Sequence, residues 1–401
     1  MLIAAAAGLL LRLAFGLGYW VDEPLTRDEQ EYLSLARSLA AGRGFVYDAA
    51  LLENTRDQFD RAPGYPAFLA LVGGGRGVTA HVPGGVKIAQ AIVGAAGVVL
   101  VGWLAGQLAG ARSATIAAWI AACYPPLVAI SARAFSEALF WPIGLAAAAL
   151  LTLAVRETGP SASRTAAIAG VFAGVGALVR PAMIVFVALA VLWLLWRRLP
   201  ARLVAFALGA TLVITPWTLR NGLVDGRAVL VAADGGVNFW IGNNPRASGD
   251  GDLAANPDLQ MRHAQFRNAH PNLTERELEP VYYEDALAWM RLDPSGWLKL
   301  EARKLFYLVV PIGPSYRLHS ARYYAASAGP YLLILPLAIL GVWRLGTARQ
   351  RTPGLWLLAG SAVVTALVFF PSERYRIPII DPVLIVCAGA AFPRTHEAVP
   401  A

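Results

Sequence analysis

The sequence predicts an all-α polytopic membrane protein: a bundle of about ten transmembrane helices, with juxtamembrane helices and a small periplasmic loop subdomain of α/β character. Three observations carry this. Of the 401 residues, 57% are hydrophobic and only 15% charged. Apolar runs close to the ~20-residue bilayer length recur along most of the chain. Short arginine clusters fall in alternate loops, the pattern that orients a multi-pass protein. The formal net charge of +8 comes almost entirely from arginine, since lysine occurs only at Lys87, Lys299 and Lys304. In an apolar chain this balance points to membrane orientation, membrane lipids and phosphate groups, and no nucleic-acid partner is expected. Arginine-rich usage in an Ala/Gly-rich sequence accounts for part of it.

Taken in order, the first run, Leu2–Trp20, lacks a basic n-region and a small-residue cleavage site, so it reads as a retained span. Further spans are expected at Val86–Leu108, Ala114–Ile130 (broken near Tyr124-Pro125-Pro126), Ala138–Val155, Thr165–Val179, Met183–Trp196, Leu203–Trp217, Pro330–Val342, Gly354–Phe370 and Ile377–Ala391. With a cytoplasmic N-terminus, the inner loops hold Arg112, then Arg156 and Arg164, then Arg197, Arg198 and Arg202, then Arg344, Arg349 and Arg351, and finally Arg394. Both termini are then cytoplasmic, in a bacterial inner membrane. The domain reading is a bundle over residues 1–217 containing the first outer loop 21–82, a periplasmic loop subdomain over 218–310, and C-terminal spans over 311–401.

Between the first two spans, Asp28–Ala41 carries Tyr32, Leu35, Ala36 and Leu39 at helical spacing and is closed by Gly42 and Gly44, which predicts an amphipathic surface helix. Tyr65–Val72 is too short to span and reads as a juxtamembrane or re-entrant helix. After Trp217, Ala228–Ala232 reads as a short strand and Asp234–Asn238 as a turn. Thr274 with Glu277 forms a capping-box pattern ahead of a helix ending at Asp293-Pro294, and a further amphipathic helix follows from Gly296 to about Val310. Cys123 and Cys387 read as small buried hydrophobes.

The candidate catalytic residues are Asp28 and Glu137. Asp28 and Glu29 are either first-turn acids favoured by the helix dipole or a general base with an ion-pair partner, because adjacent helical residues point in different directions. Glu137 is either a helix-start acid capped by Ser136 or a carboxylate orienting an acceptor from the same membrane face. Arg61, Arg180, Arg220, Arg374 and Arg376 all fall on the non-cytoplasmic side. Each alone is an interfacial anchor; five against the positive-inside bias suit a lipid phosphate, which the planar guanidinium binds without losing its proton. His81, His263, His270, His319 and His396 show no zinc-type spacing, so no metal site or cofactor is expected from them, and metal dependence stays open.

The patterns Asp28-Glu29-x-x-Tyr32-x-x-x-Ala36, Arg61-x-Pro63-x-Tyr65-Pro66, Ser136-Glu137, Pro216-Trp217-x-x-Arg220-Asn221, Gly242-Asn243-Asn244-Pro245 and Arg374-Tyr375-Arg376-x-Pro378 together resemble bacterial GT-C membrane glycosyltransferases. The likeness is to the branch holding protein O-mannosyltransferases and lipid A aminoarabinose transferases. It implies a GT-C-type helix bundle over an outer cavity, a polyprenyl-phosphate sugar as donor, and a lipid, glycan or protein acceptor. Asp28 occupies the position of the family's catalytic aspartate, and Arg61 falls where relatives place a basic residue near the donor phosphate. Glu29, Tyr32, Tyr65, Asn221, Asn243 and Tyr375 are the candidate substrate-binding residues. The competing readings are a transporter or flippase for lipid-linked sugars and a non-catalytic assembly subunit. A transporter calls for polar residues at mid-span and internal repeats, whereas the acids and arginines gather at one face.

Overall fold

The computed structural model describes residues 1–48, 61–226, 229–251, 253–318 and 320–392, and among these every regular element is helical. His319, Arg394 and His396 lie outside the described residues, as does 49–60 of the first loop. The chain opens with α1 (Leu2–Ala14), extended by a π-helical turn, Phe15–Tyr19. The next elements are α2 (Arg27–Ala40), α3 (Gly64–Leu71), α4 (Gly84–Cys123), α5 (Pro125–Ala129), α6 (Glu137–Arg156), α7 (Pro160–Val179), α8 (Met183–Trp196) and α9 (Pro200–Asp225). Then come α10 (Gly235–Gly242), α11 (Pro257–Ala269), α12 (Glu275–Leu292) and α13 (Pro294–Val309), followed by α14 (Ala321–Leu345), α15 (Pro353–Val368), α16 (Glu373–Tyr375) and α17 (Asp381–Ala390). Among the described residues, six helices are long and apolar enough to cross a bilayer, and α8 and α15 are shorter apolar helices. This is a multi-pass membrane protein.

The run α4 holds two antiparallel spans. Its backbone leaves the helix at Ala109 and Gly110, the glycine at φ +86°, which is open to a residue without Cβ. A Cβ on Gly102 would lie 3.1 Å from the Ala114 carbonyl, so the halves pack back on each other. The second half ends at Cys123, short of the expected Ile130. Tyr124 precedes Pro125 and is driven to ψ 111°, the extended region a pre-proline residue prefers. Cys123 is exposed there, whereas Cys387 is buried. In contrast, α9 passes through Pro216 and continues to Asp225, where Gly226 caps it at φ +71°.

The strand expected at Ala228–Ala232 does not form in the described residues 229–232. Its carbonyls are taken by side chains of α9 instead of a ladder: Thr218 Oγ1 donates to Leu230 O at 2.8 Å, Trp217 Nε1 to Val231 O at 2.9 Å, and Asn221 Nδ2 to Val229 O at 3.1 Å. The segment beyond is therefore helical and not α/β. Its own core is Trp240, Leu259, Leu278, Tyr282 and Ala286. The capping box at Thr274 and Glu277 forms as expected, with Thr274 N donating to Glu277 Oε2 at 2.9 Å.

Small residues let the bundle close. A Cβ on Gly170 of α7 would meet Phe206 O of α9 at 2.0 Å, and one on Gly209 of α9 would meet Ala167 O at 2.2 Å. This reciprocal contact is the small-residue packing that holds membrane helices together. Gly170→Val should lower the thermal midpoint in detergent, at a cost of about 1–3 kcal/mol, while Gly329→Ala, which meets nothing within 4 Å, should leave it unchanged. Equal midpoints for the two variants would contradict this packing. At one end of the bundle, Arg202 Nη2 donates to Glu157 O at 2.7 Å and Arg156 to the Gln107 amide. The polar site lies at the other.

Candidate active site

Helix α2 begins with a capping box: Thr26 N and Oγ1 both donate to Glu29 Oε2, at 2.9 and 2.8 Å. Glu29 Oε1 accepts from Ala134 N at 2.9 Å. Both its oxygens are thus used in capping α2 and holding it to the segment before α6, and among the described residues Glu29 makes no ion pair of the kind expected of it. Asp28, one residue earlier, points elsewhere. Asp28 and Glu31 share a face at i,i+3 spacing, and both reach Arg61.

The result is a linear chain of alternating charge. Arg61 Nη2 lies 2.5 Å from Glu31 Oε2 and 2.6 Å from Asp28 Oδ1. Arg374 bridges Asp28 Oδ2 and Glu137 Oε1, the latter at 2.7 Å, and Arg180 Nη1 lies 2.8 Å from Glu137 Oε1. Three carboxylates (Asp28, Glu31, Glu137) face three guanidiniums (Arg61, Arg180, Arg374), and Arg27 reaches the other oxygen of Glu31 at 3.3 Å from outside the row. Burial pushes the Asp28 carboxyl up, but Arg61 and Arg374 outweigh it and hold the group well below the usual carboxylate range. Its side chain is 27% exposed, against 2% for Glu137 and 0% for Glu31. Only Asp28 of the three can meet another molecule without rearrangement.

Local sequence explains each placement. Arg61 leads into α3, whose Gly64 admits the Leu178 carbonyl 2.8 Å from where a Cβ would sit, seating α3 on the end of α7. Arg180 is extended because Pro181 follows it. Ser136 joins the layers: Tyr32 OH donates to its Oγ at 3.3 Å and Arg180 Nη1 at 3.2 Å. Aromatic faces carry the cations, with Arg61 5.0 Å from the Tyr32 ring centre, Arg180 5.1 Å from Tyr375 and Arg374 4.5 Å from Phe135.

These arginines open onto a cavity of about 560 Å³ lined also by Tyr32, Ser136, Tyr375, Asp234, Asn238, Ile184, Val185, Phe369 and Phe370. Asp28 and Glu137 stand behind the arginines instead of on the lining itself. Glu137, 2% exposed, lies behind Arg180 and Arg374 and pairs with both.

Several expected site residues lie off this cavity. Tyr65 is buried, with its hydroxyl donating to Gln90 at 2.7 Å. Arg220 sits over the rings of Trp217 and Phe45, at 4.8 and 5.9 Å. Asn221 holds residues 229–231 as described. Asn243 is 1% exposed; its amide donates to Phe239 O and Val368 O, and its oxygen accepts from Lys304 Nζ at 2.9 Å. These residues position the cavity wall and do not line it. Arg376 is buried against Asp381 at 3.1 Å, with Tyr316 OH at 3.0 Å and Ser327 Oγ at 3.2 Å, so it is part of an internal network. Glu31, Asp234 and Asn238 are the site residues the sequence reading did not select.

In that internal network Glu373 accepts from Ser327 Oγ and sits 3.9 Å from Arg376. Burial pushes its carboxyl up to about 7, against the pull of Arg376. The folded state therefore holds a proton that the unfolded state releases near the ordinary glutamate value of about 4.3. Stability should fall as pH rises from about 5 to 8. Thermal midpoints of the wild type and Glu373→Gln across that range check this: the variant should show a flatter profile, and parallel profiles would count against it. Among the described residues, no group of three or more His, Cys, Asp or Glu side chains could hold a metal ion.

The bundle, its juxtamembrane helices and the polar cavity at one end agree with the helix-bundle architecture that the sequence resemblance implies. Residues 60–219 match the family described as dolichyl-phosphate-mannose-protein mannosyltransferase. The structure is similar to the archaeal oligosaccharyltransferase AglB from Archaeoglobus fulgidus in complex with an inhibitory peptide and a dolichol-phosphate, with TM-score 0.56 and 13% identity, covering 97% of this chain and 50% of that one. The apo form of the Archaeoglobus fulgidus oligosaccharyltransferase gives 0.55 and 14%, covering 97% and 49%. ArnT from Cupriavidus metallidurans bound to undecaprenyl phosphate gives 0.44 and 15%, covering 97% and 76%. The chain thus spans about half the length of the oligosaccharyltransferase chains it matches. No curated protein matches it.

Proposed function

We propose that this protein is a membrane glycosyltransferase that moves a sugar from a polyprenyl-phosphate donor to an acceptor hydroxyl on a lipid, glycan or protein. The observation that carries the reading is the row Glu31–Arg61–Asp28–Arg374–Glu137–Arg180 beside one cavity, with Asp28 its least buried acid. The phosphate engages Arg61, Arg180 and Arg374, and takes from Asp28 part of its hold on Arg61 and Arg374. The freed carboxylate oxygen accepts the acceptor's proton as the hydroxyl oxygen attacks C1. The bond from C1 to the phosphate oxygen breaks, the configuration inverts, and the polyprenyl phosphate leaves with its charge held by the guanidiniums. Phe369, Ile184 and Val185 offer an apolar side to the same cavity, suited to the first isoprenoid units. The clustered arginines of the opposite end support a cavity on the periplasmic side of a bacterial inner membrane, with residues 218–310 read as a loop subdomain over the 1–217 bundle. The test is conversion of undecaprenyl-phosphate-linked sugars to undecaprenyl phosphate and glycosylated acceptor by protein in proteoliposomes supplied with envelope extract. Transbilayer movement of the donor with no covalent product would replace this reading by that of a flippase.

A further inference from the structure

The acids of the arginine row are all committed to guanidiniums. One carboxylate on the cavity is not. Asp234 lines it from the start of α10, beside Asn238, and makes no ion pair among the described residues. Asn238 Nδ2 donates to the Asp234 carbonyl at 2.7 Å, and the same amide bonds the Asp234 carboxylate, which leaves the amide oxygen for another partner. The wall that carries them is rigid. Gly236 N donates to Glu279 Oε1 at 2.7 Å. A Cβ on Gly236 would lie 2.4 Å from Glu279 O, and one on Gly242 1.8 Å from Phe369 O. Both ends of α10 are thus locked by backbone approaches that only glycine permits, and Asn243 ties its end to α15. Such a fixed element can present polar groups at defined positions. A sugar esterified to a phosphate on Arg61 and Arg180 is one bridging oxygen from that phosphate, inside the cavity that Asp234 and Asn238 also line.

Resting on the glycosyltransferase reading, we propose that Asp234 and Asn238 recognise the donor sugar. The Asp234 carboxylate accepts hydrogen bonds from two neighbouring ring hydroxyls, and Asn238 contacts a third polar group, so α10 selects which sugar is transferred. Burial holds the Asp234 carboxyl above its ordinary range, against the pull of Arg61 and Arg180 and of hydrogen bonds from its own backbone and Asn238; hydroxyl donors would add to the hydrogen bonds that hold a buried carboxylate.

The experiment separates lipid phosphate from sugar. Full-length protein in nanodiscs is titrated with undecaprenyl phosphate alone and with undecaprenyl-phosphate-linked mannose, glucose, galactose and arabinose, and binding is read by native mass spectrometry. The wild type should bind at least one glycosylated lipid about tenfold more tightly than undecaprenyl phosphate. Asp234→Ala should abolish that preference while leaving the undecaprenyl phosphate Kd within about twofold, since one to two hydrogen bonds to a charged group correspond to about a tenfold change or more. Asp234→Asn, which keeps the shape, should lose most of the preference too. A wild type with no sugar preference, a preference that survives in Asp234→Ala, or an equal weakening of all five lipids overturns the assignment. Failure of the wild type to bind undecaprenyl phosphate at all would instead remove the glycosyltransferase reading on which it rests.

Discussion

Asp28→Asn should slow sugar transfer by about 10²–10⁴-fold, the contribution typical of a positioned base, with donor binding retained. The side chain keeps its size and can still accept from Arg61 or Arg374, so the row need not collapse. What disappears is the proton acceptor. Asp28 is the least buried acid of the three, and Glu31 and Glu137 are sealed behind their arginines, so neither can take over. With the donor absent, two guanidiniums keep Asp28 a weak base. Its basicity should rise only when a phosphate competes for Arg61 and Arg374. Steady-state kinetics should therefore show donor bound before acceptor, and a variant with normal turnover would remove Asp28 from the mechanism.

Arg374→Ala should be nearly as severe, at about 10²–10³-fold in transfer, the loss expected when one donor to a developing oxyanion is deleted. Arg374 touches Asp28 and Glu137 at once and remains 42% exposed toward the cavity. Removing it leaves Glu137 with Arg180 and Asp28 with Arg61, so the protein should fold while the leaving phosphate loses a partner. Arg374→Lys should recover little. An ammonium has no planar fork to bridge two carboxylates and stack on Phe135. The readout is kcat together with undecaprenyl phosphate affinity, and both should fall in both variants. Affinity lost with kcat intact would make Arg374 an anchor for the lipid alone.

The bundle was legible because a bilayer imposes a length on every helix that crosses it. Boundaries were less so. The apolar run reads as ending at Trp217, yet α9 runs eight residues beyond it to Asp225, carrying the side chains that hold residues 229–231. Asp381 is hidden inside an apolar run, so Arg376 looks available for a phosphate when it faces a buried acid. Asp28, Arg61, Arg180 and Arg374, which the sequence reading assigns to one membrane face, meet at one end of the bundle. Glu29 carries a signal that assigns it differently: Thr26-x-x-Glu29 repeats the spacing of Thr274-x-x-Glu277, and both form caps. Glu31 is recoverable from its i,i+3 relation to Asp28. The wall at Asp234 is not, because a Gly-rich stretch reads as a turn until the backbones of α12 and α15 are seen pressing on its glycines.

The account is tested most directly by quantifying polyprenyl-phosphate-linked sugars and envelope glycans by mass spectrometry in cells whose sole copy is the wild type or Asp28→Asn. One polyprenyl-phosphate sugar should accumulate in the variant as one envelope glycan or glycolipid loses that same residue. Identical donor pools and identical glycans in the two strains, at equal protein levels, would contradict it.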